Sequence, residues 1–207
     1  MSTMRSILDL VLPNRCAGCD APATSWCAEC AASLTVRPAP RPGLGAASAL
    51  AAYDGAARRL VLAYKEKGRH ELSVPLGRAF AHALPTIRAG PYVVVPVPSR
   101  PAAARARYGQ HMTAVARACA AALVHLGHQA SVAPVLRLSG RARDSVGLDR
   151  EARVANLDGR LWCAGPAPPS VVLLDDVITT GATATACVAA LRRHGTEEVT
   201  VLAFTAT

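Results

Sequence analysis

Two adjacent carboxylates and a hydroxyl-rich loop are the part of this sequence best suited to chemistry. Asp175 and Asp176 follow the apolar run Val171–Leu174 and precede the loop Thr179-Thr180-Gly181-Ala182-Thr183. Carboxylates accept hydrogen bonds from sugar hydroxyls, whereas a small-residue loop opening a helix binds phosphate through its N–H groups. Because carboxylates repel a phosphate placed directly beside them, the phosphate is expected one sugar carbon further on. The pattern predicts a ribose 5-phosphate site.

The neighbouring residues predict how this site is positioned. The apolar run is typical of a strand buried on both faces, with the acids at its exit, where parallel sheets bind ligands. A helix from the loop to Arg193 is expected to stop at Gly195. P-loop ATPases also end a strand in acids, but they need a Gly-x-x-x-x-Gly-Lys loop, and the only lysines, Lys65 and Lys67, lie in no such loop. The alternative without function is an ordinary buried strand with a polar end.

Four cysteines near the start predict a metal site. Cys16-x-x-Cys19 and Cys27-x-x-Cys30 are two pairs that can present four thiolates to one ion, the arrangement of structural zinc. A redox dithiol is the alternative for one pair, although two pairs side by side argue against it. Zinc would contribute roughly 10 kcal/mol or more to folding the segment. The scattered cysteines are expected to be core residues: Cys119, Cys163 and Cys187.

Positive charge is concentrated in the middle of the chain. The formal net charge is +9, and the stretch from Leu72 to Arg143 contains nine arginines and no acidic residue. Arginine binds phosphates by bidentate hydrogen bonds, so the stretch could serve a pyrophosphate, a nucleic-acid backbone or both. A solvated basic surface is the alternative.

The 207 residues suffice for one domain and a small extra module. Helical and strand patterns alternate from Ala46 onward, with strands expected at 92–97, 132–138, 171–174 and 198–204, which predicts an α/β fold with a parallel sheet flanked by helices. The Pro- and Gly-rich segment 35–45 is expected to be a linker between a metal module, 1–34, and the main domain, 46–207. No apolar run is long enough to span a membrane and no signal peptide is evident, so a cytoplasmic location is expected.

A second segment suited to phosphate chemistry is the turn Val95-Pro96-Val97-Pro98-Ser99-Arg100. It ends a predicted strand and presents Ser99 and Arg100 at a proline-stiffened tip. A leaving pyrophosphate needs cations and fixed N–H donors where charge develops. A plain loop with a solvated arginine is the alternative.

The strand, acids and threonine loop resemble the phosphoribosyl pyrophosphate (PRPP) signature of type I phosphoribosyltransferases. The resemblance implies that Asp175 and Asp176 contact the ribose 2- and 3-hydroxyls and that Thr179 to Thr183 hold the 5-phosphate. The turn at Ser99 and Arg100 is similar to the pyrophosphate-binding loop of amidophosphoribosyltransferases, which implies magnesium as a cofactor. The segment from Arg137 to Arg153 has the place of these enzymes' mobile loop, with Arg141 and Arg143 as candidate contacts.

The whole chain resembles the ComF family, competence-associated proteins with a phosphoribosyltransferase-like domain and a role in DNA uptake. The four-cysteine module, Tyr53-Asp54-Gly55 before a helix carrying Lys65, the proline turn and the PRPP signature carry the resemblance. The chain departs from the family where many members have Arg-Gly-Phe-Asn-Gln and it has the segment 107–111, Arg-Tyr-Gly-Gln-His, and where Ser145 replaces a Gln. Because of these departures, the resemblance does not imply that the chain shares the family's chemistry toward the second substrate.

Two functions therefore remain. The first is an enzyme in which Asp175, Asp176 and Arg100 assist transfer of the phosphoribosyl group of PRPP to a nitrogen acceptor. The second is a non-catalytic module that senses a phosphoribosyl ligand and binds single-stranded DNA, with competence-machinery proteins as partners. The aromatic content of 4% weakens the DNA hypothesis, because strand binding usually relies on stacking. No role is assigned to any histidine.

Overall fold

The computed structural model describes residues 15–22, 24–99, 109–139 and 160–207. Its main sheet has six strands in the order β1-β2-β8-β7-β3-β4, and β5 and β6 form a separate antiparallel pair. The strands are β1 (Arg37–Pro38), β2 (Ala47–Ala52), β3 (Tyr92–Pro96), β4 (Ala130–Val132), β5 (Leu136–Leu138), β6 (Leu161–Cys163), β7 (Ser170–Ile178) and β8 (Glu198–Ala206). The helices are α1 (Ala28–Ala32), α2 (Gly55–Glu66), α3 (Ser73–Ile87), α4 (His111–His125) and α5 (Ala182–Arg193), with a 3₁₀ turn at His70–Leu72.

The sheet is mostly parallel, as the alternating sequence pattern predicts. β2, β8, β7, β3 and β4 run parallel, and only β1 is antiparallel to its neighbour. The apolar run of β7 is fully buried because each face of the sheet carries its own core. One core packs α2, α3 and α4 against the sheet, and the other packs α5 with the β5–β6 pair. The chain is therefore a mixed α/β protein with helices on both faces.

Two elements differ from their predicted extents. The strand expected at 171–174 continues through both acids to Ile178, because its pairing with β8 continues until Ile178 lies opposite Ala206. The strand expected at 132–138 is instead two strands, β4 and β5, in different sheets. Pro134 lies at the break, and proline has no N–H to continue a ladder.

The segments before β2 pack against the main domain. Trp26, within the four-cysteine region, makes an edge-to-face contact with Phe204 of β8 at 5.6 Å between ring centroids. Within segment 35–45, Ala39 and Leu44 are buried in the core beneath α5. The division into module, linker and domain stays a prediction. None of the helices in the described ranges has the length and apolar character to cross a membrane.

Candidate functional site

The acidic pair lies at the carboxyl end of the central strand β7. Asp175 is 7% exposed and Asp176 is 9% exposed. Because successive side chains of a strand point to opposite faces, the two carboxylates have different surroundings. Asp176 faces α2 and α4, where it contacts Lys65 and His111. Asp175 lies on the α5 side, where its charge raises the pKa of the buried Cys187 thiol, second to burial itself.

Asp176 is held as a carboxylate by two partners on one oxygen. Lys65 Nζ lies 2.8 Å from Asp176 Oδ2, and His111 Nε2 lies 2.9 Å from the same atom. Burial alone would raise the pKa of Asp176, but the hydrogen bond from His111 and the charge of Lys65 outweigh it and hold that pKa well below its usual range. Asp176 is therefore a fixed hydrogen-bond acceptor at neutral pH.

Asp175 behaves in the opposite way. Burial, together with the adjacent charge of Asp176, raises the pKa of Asp175 to about 7. Its Oδ1 accepts a hydrogen bond from the backbone N–H of Asp176 at 2.8 Å, which ties the two residues together. Near neutral pH, Asp175 can therefore exist with or without its proton, whereas Asp176 stays charged.

His111, for which the sequence predicts no role, links Asp176 to the proline turn. Its Nδ1 lies 2.8 Å from Ser99 Oγ, while its Nε2 contacts Asp176. Tyr64 Oη donates to the backbone carbonyl of His111 at 2.7 Å, and the Tyr64 ring packs edge-on against the imidazole. The side-chain amide of Gln110 bonds both backbone groups of Ser99. A histidine starting a helix directly after a loop is a weak sequence signal, because nothing in the sequence indicates that its ring meets β7.

The turn at Ser99 lies beside the acidic pair because β3 and β7 are parallel neighbours. Leu174 is opposite Pro96, and Val97 N–H donates to the carbonyl of Leu174 at 2.9 Å. Ser99 is thereby brought to the end of the sheet where Asp176 lies. Arg100, Arg141 and Arg143 lie outside the described residues, so their predicted roles stay predictions.

The threonine loop connects β7 to α5 in a tight turn. Gly181 has φ +79°, a conformation that favours glycine, and a Cβ there would lie 2.9 Å from Arg41 Cβ. Thr180 Oγ1 accepts from Ala182 N–H at 3.5 Å. The helix then begins, and the N–H groups of a first turn have no partner within their own helix. The positive end of α5 can therefore stabilise an anion near Thr183 and the loop.

Arg41 fixes the loop from the outside. Its Nε donates to the carbonyl of Thr179 at 2.6 Å, and its guanidinium also bonds the carbonyls of Pro40 and Thr207. Arg41 lies in the segment 35–45, which is predicted to be a linker, and the sequence does not predict a part for it in the site. Its contact depends on the fold bringing residues far apart in the chain together, so no local pattern could reveal it.

The four cysteines predicted to bind metal do come together. The Sγ atoms of Cys16, Cys19, Cys27 and Cys30 all lie within 4.8 Å of one another. Four thiolates around one zinc have sulfur atoms about 3.8 Å apart, so the group fits that ion after small movements. Gly18 is needed between them, because a Cβ there would lie 2.7 Å from Cys30 Sγ.

The thiols influence one another electrostatically. Burial raises the pKa of Cys30, and the other three thiols raise it further. The pKa of Cys16 is lowered to about 6, because burial is outweighed by hydrogen bonds from the backbone of Cys27, Cys19 and Gly18. The Cys16 thiolate therefore forms readily, and its negative charge opposes ionisation of Cys30. A divalent cation would remove this opposition, so the donor set fits a structural metal such as zinc.

Comparison with known proteins adds little. No family model matches the chain, and no curated protein matches it. Among solved structures, it is similar to a hypoxanthine phosphoribosyltransferase from Staphylococcus aureus, with 11% sequence identity and a TM-score of 0.37. That overlap covers 65% of this chain and 62% of the other. At such similarity, function has to be argued from the residues of the site themselves.

Proposed function

We propose that the chain binds PRPP and transfers its phosphoribosyl group to a nitrogen acceptor. The observation that carries the proposal is the buried carboxylate of Asp176 at the end of the central strand, three residues before a loop that opens α5. A fixed acceptor suits a sugar hydroxyl, and the loop with its helix N-terminus suits a phosphate.

The two ends of the ribose would be held by different groups. Asp176 accepts a ribose hydroxyl, and Thr179 to Thr183 hold the 5-phosphate. Asp175, whose pKa is raised, lies on the opposite face of β7. Its Oδ1 accepts from the backbone N–H of Asp176 and so fixes the backbone at Asp176. Fixing both ends of the sugar holds the anomeric carbon still, which lowers the entropic part of the barrier.

The transfer exchanges one bond for another at that carbon. The acceptor nitrogen forms a bond to C1, and the bond from C1 to pyrophosphate breaks, so that pyrophosphate leaves with the electron pair. The acceptor loses its proton to solvent. Ser99 and Arg100 are proposed to bind the pyrophosphate, and Arg141 and Arg143 to cover the ligand and exclude water.

Magnesium and zinc have separate places in the proposal. Among the described residues, only the four cysteines gather three or more metal-ligating side chains, so we expect magnesium to arrive with PRPP. Its chemistry there is to neutralise charge on the pyrophosphate. The cysteines would hold zinc for structure. The ComF resemblance adds a role in DNA uptake, with single-stranded DNA as a further partner.

Pyrophosphate release tests the proposal. The protein is incubated with PRPP, magnesium and a panel of nitrogenous bases, and pyrophosphate is measured with and without each base. Release that depends on a base and is lost in Asp176→Asn supports phosphoribosyl transfer. PRPP binding without turnover, together with salt-sensitive binding of single-stranded DNA, would instead favour the non-catalytic sensor. Absence of PRPP binding would reject both.

A further inference from the structure

Arg41 joins three main-chain oxygens at the start of the threonine loop. Its Nε donates to the Thr179 carbonyl at 2.6 Å, its Nη1 donates to the Pro40 carbonyl at 2.8 Å, and its Nη2 bonds the main-chain oxygen of Thr207. Thr179 follows β7 and Thr207 follows β8, so the guanidinium bridges the ends of two neighbouring strands. A planar guanidinium suits this bridge, because its donors are arranged in a fixed fork.

The segment that carries Arg41 is itself anchored in the fold. Ala39 and Leu44, on either side of Arg41, are 2% and 1% exposed. The Ala39 N–H donates to the carbonyl of Ala47 in β2 at 2.8 Å, and the Leu44 N–H donates to the carbonyl of Arg41 at 3.1 Å. The segment also packs closely on the loop, because a Cβ at Gly181 would lie 3.0 Å from Arg41 Cγ. The position of the Arg41 side chain is therefore set by the fold of its own segment.

The bond from Arg41 to Thr179 fixes the direction of the next N–H group in the chain. A trans peptide is planar, and its C=O and N–H point in opposite directions. Because the Thr179 carbonyl points toward Arg41, the Thr180 N–H points away from Arg41. Among the residues that the structure describes, no hydrogen bond uses this N–H. It is therefore available to an anion held by the loop.

We propose that Arg41 is a positioning residue for phosphate binding, which holds the peptide between Thr179 and Thr180 so that the Thr180 N–H faces the 5-phosphate. The inference rests on the proposed function and adds a residue of the segment 35–45 to it. Gly181 follows this peptide, and the conformational freedom of glycine would otherwise allow the peptide to rotate. A rotated peptide would turn the Thr179 carbonyl oxygen toward the phosphate, and these two negatively polarised groups repel each other.

The amide proton of Thr180 gives the first test. The isotope-labelled full chain is titrated with PRPP and magnesium, and its backbone amides are followed by NMR. We expect the Thr180 amide proton to shift downfield, because it forms a charge-assisted hydrogen bond to a phosphate oxygen. PRPP binding that leaves the Thr180 amide unchanged overturns the inference, whereas the proposed function stands. Failure of the unaltered protein to bind PRPP overturns both.

Two variants of Arg41 and one control measure the effect on affinity. Arg41→Gln removes the charge and the fork, whereas Arg41→Lys keeps the charge on an ammonium that lacks the planar fork. Calorimetry should show that both bind PRPP roughly tenfold to a hundredfold more weakly, the range expected for loss of one hydrogen bond to a charged group. At saturating PRPP, both should also lose the downfield shift of Thr180. Arg37→Gln, at an exposed position of β1, should keep the affinity and the shift.

The Lys variant separates positioning from simple attraction of charge. Full affinity in Arg41→Lys together with weak binding in Arg41→Gln would show that only the positive charge matters, which overturns the positioning role. Unchanged affinity in both variants overturns it as well. Circular dichroism checks the folding of each variant, and if either fails to fold, the Thr180 amide of the unaltered protein still decides the question.

Discussion

The cysteine cluster and the acidic pair each bring together side chains that carry the same charge when ionised. The two sites differ in the groups that surround these side chains. At the cysteines, burial and the neighbouring thiols together raise the pKa of Cys30. At the acids, the protein supplies Lys65 and a hydrogen bond from His111, and it moves the pKa values of Asp175 and Asp176 apart. A cluster of thiols that oppose one another's ionisation is suited to a metal. A carboxylate already paired is suited to a ligand without a full positive charge, such as a sugar.

The largest effect should come from removing one thiol. Cys27→Ser leaves three strong ligands, so bound zinc should be lost and the segment around α1 should unfold, since zinc contributes on the order of 10 kcal/mol to such modules. Elemental analysis and limited proteolysis measure both results. Cys163→Ser is the control, because Cys163 is a buried cysteine outside the cluster. Full zinc content in Cys27→Ser would show that the four thiols do not act as one site.

A smaller effect should follow from removing the cation of the acidic pair. Lys65→Met leaves the buried carboxylate of Asp176 with His111 as its side-chain partner. The free energy of unfolding should fall by about 2 kcal/mol. This is less than for a fully buried ion pair, because the Lys65 side chain is 32% exposed. Denaturant unfolding measures it. The control is Lys67→Met, two residues further on at an exposed position. If the two variants have the same free energy of unfolding, the ion pair between Lys65 and Asp176 does not stabilise the protein.

A third effect appears only at higher pH and concerns the pH dependence of stability. The pKa of Asp175 is raised in the folded protein to about 7 from an ordinary value near 4, so the folded state binds the proton more tightly and stability falls as pH rises between these values. Asp175→Asn removes this loss, and it should therefore be more stable than the unaltered protein by up to about 4 kcal/mol well above pH 7 but not below pH 4.

Thermal unfolding across this range measures the difference between the two proteins. Asp54→Asn, at an exposed acid before α2, is the control and should give no pH-dependent gain. A constant difference at all pH values would mean that Asp175 is not the group responsible. A gain in stability accompanied by weaker PRPP binding would be typical of a residue kept for function.

These two sites also differ in how much of them could be predicted from sequence. The gathering of the four cysteines is confirmed, because the two-residue spacing within each pair is a local signal for a metal-binding knuckle, whereas zinc itself stays a prediction. For the acidic pair, sequence predicts the strand, the loop and the helix, since hydrophobic pattern and glycine position are local signals. It does not predict Lys65 and His111 as partners of Asp176, because they meet it only when α2 and α4 pack on β7. Arg41 was missed for the same reason.

A crystal structure of the protein with PRPP and magnesium tests the central claim most directly. The account predicts the 5-phosphate against the backbone of Thr179 to Gly181 and the first turn of α5, with a ribose hydroxyl within hydrogen-bonding distance of Asp176. A ligand bound elsewhere, with the loop empty and the contacts of Asp176 to Lys65 and His111 unchanged, would contradict it.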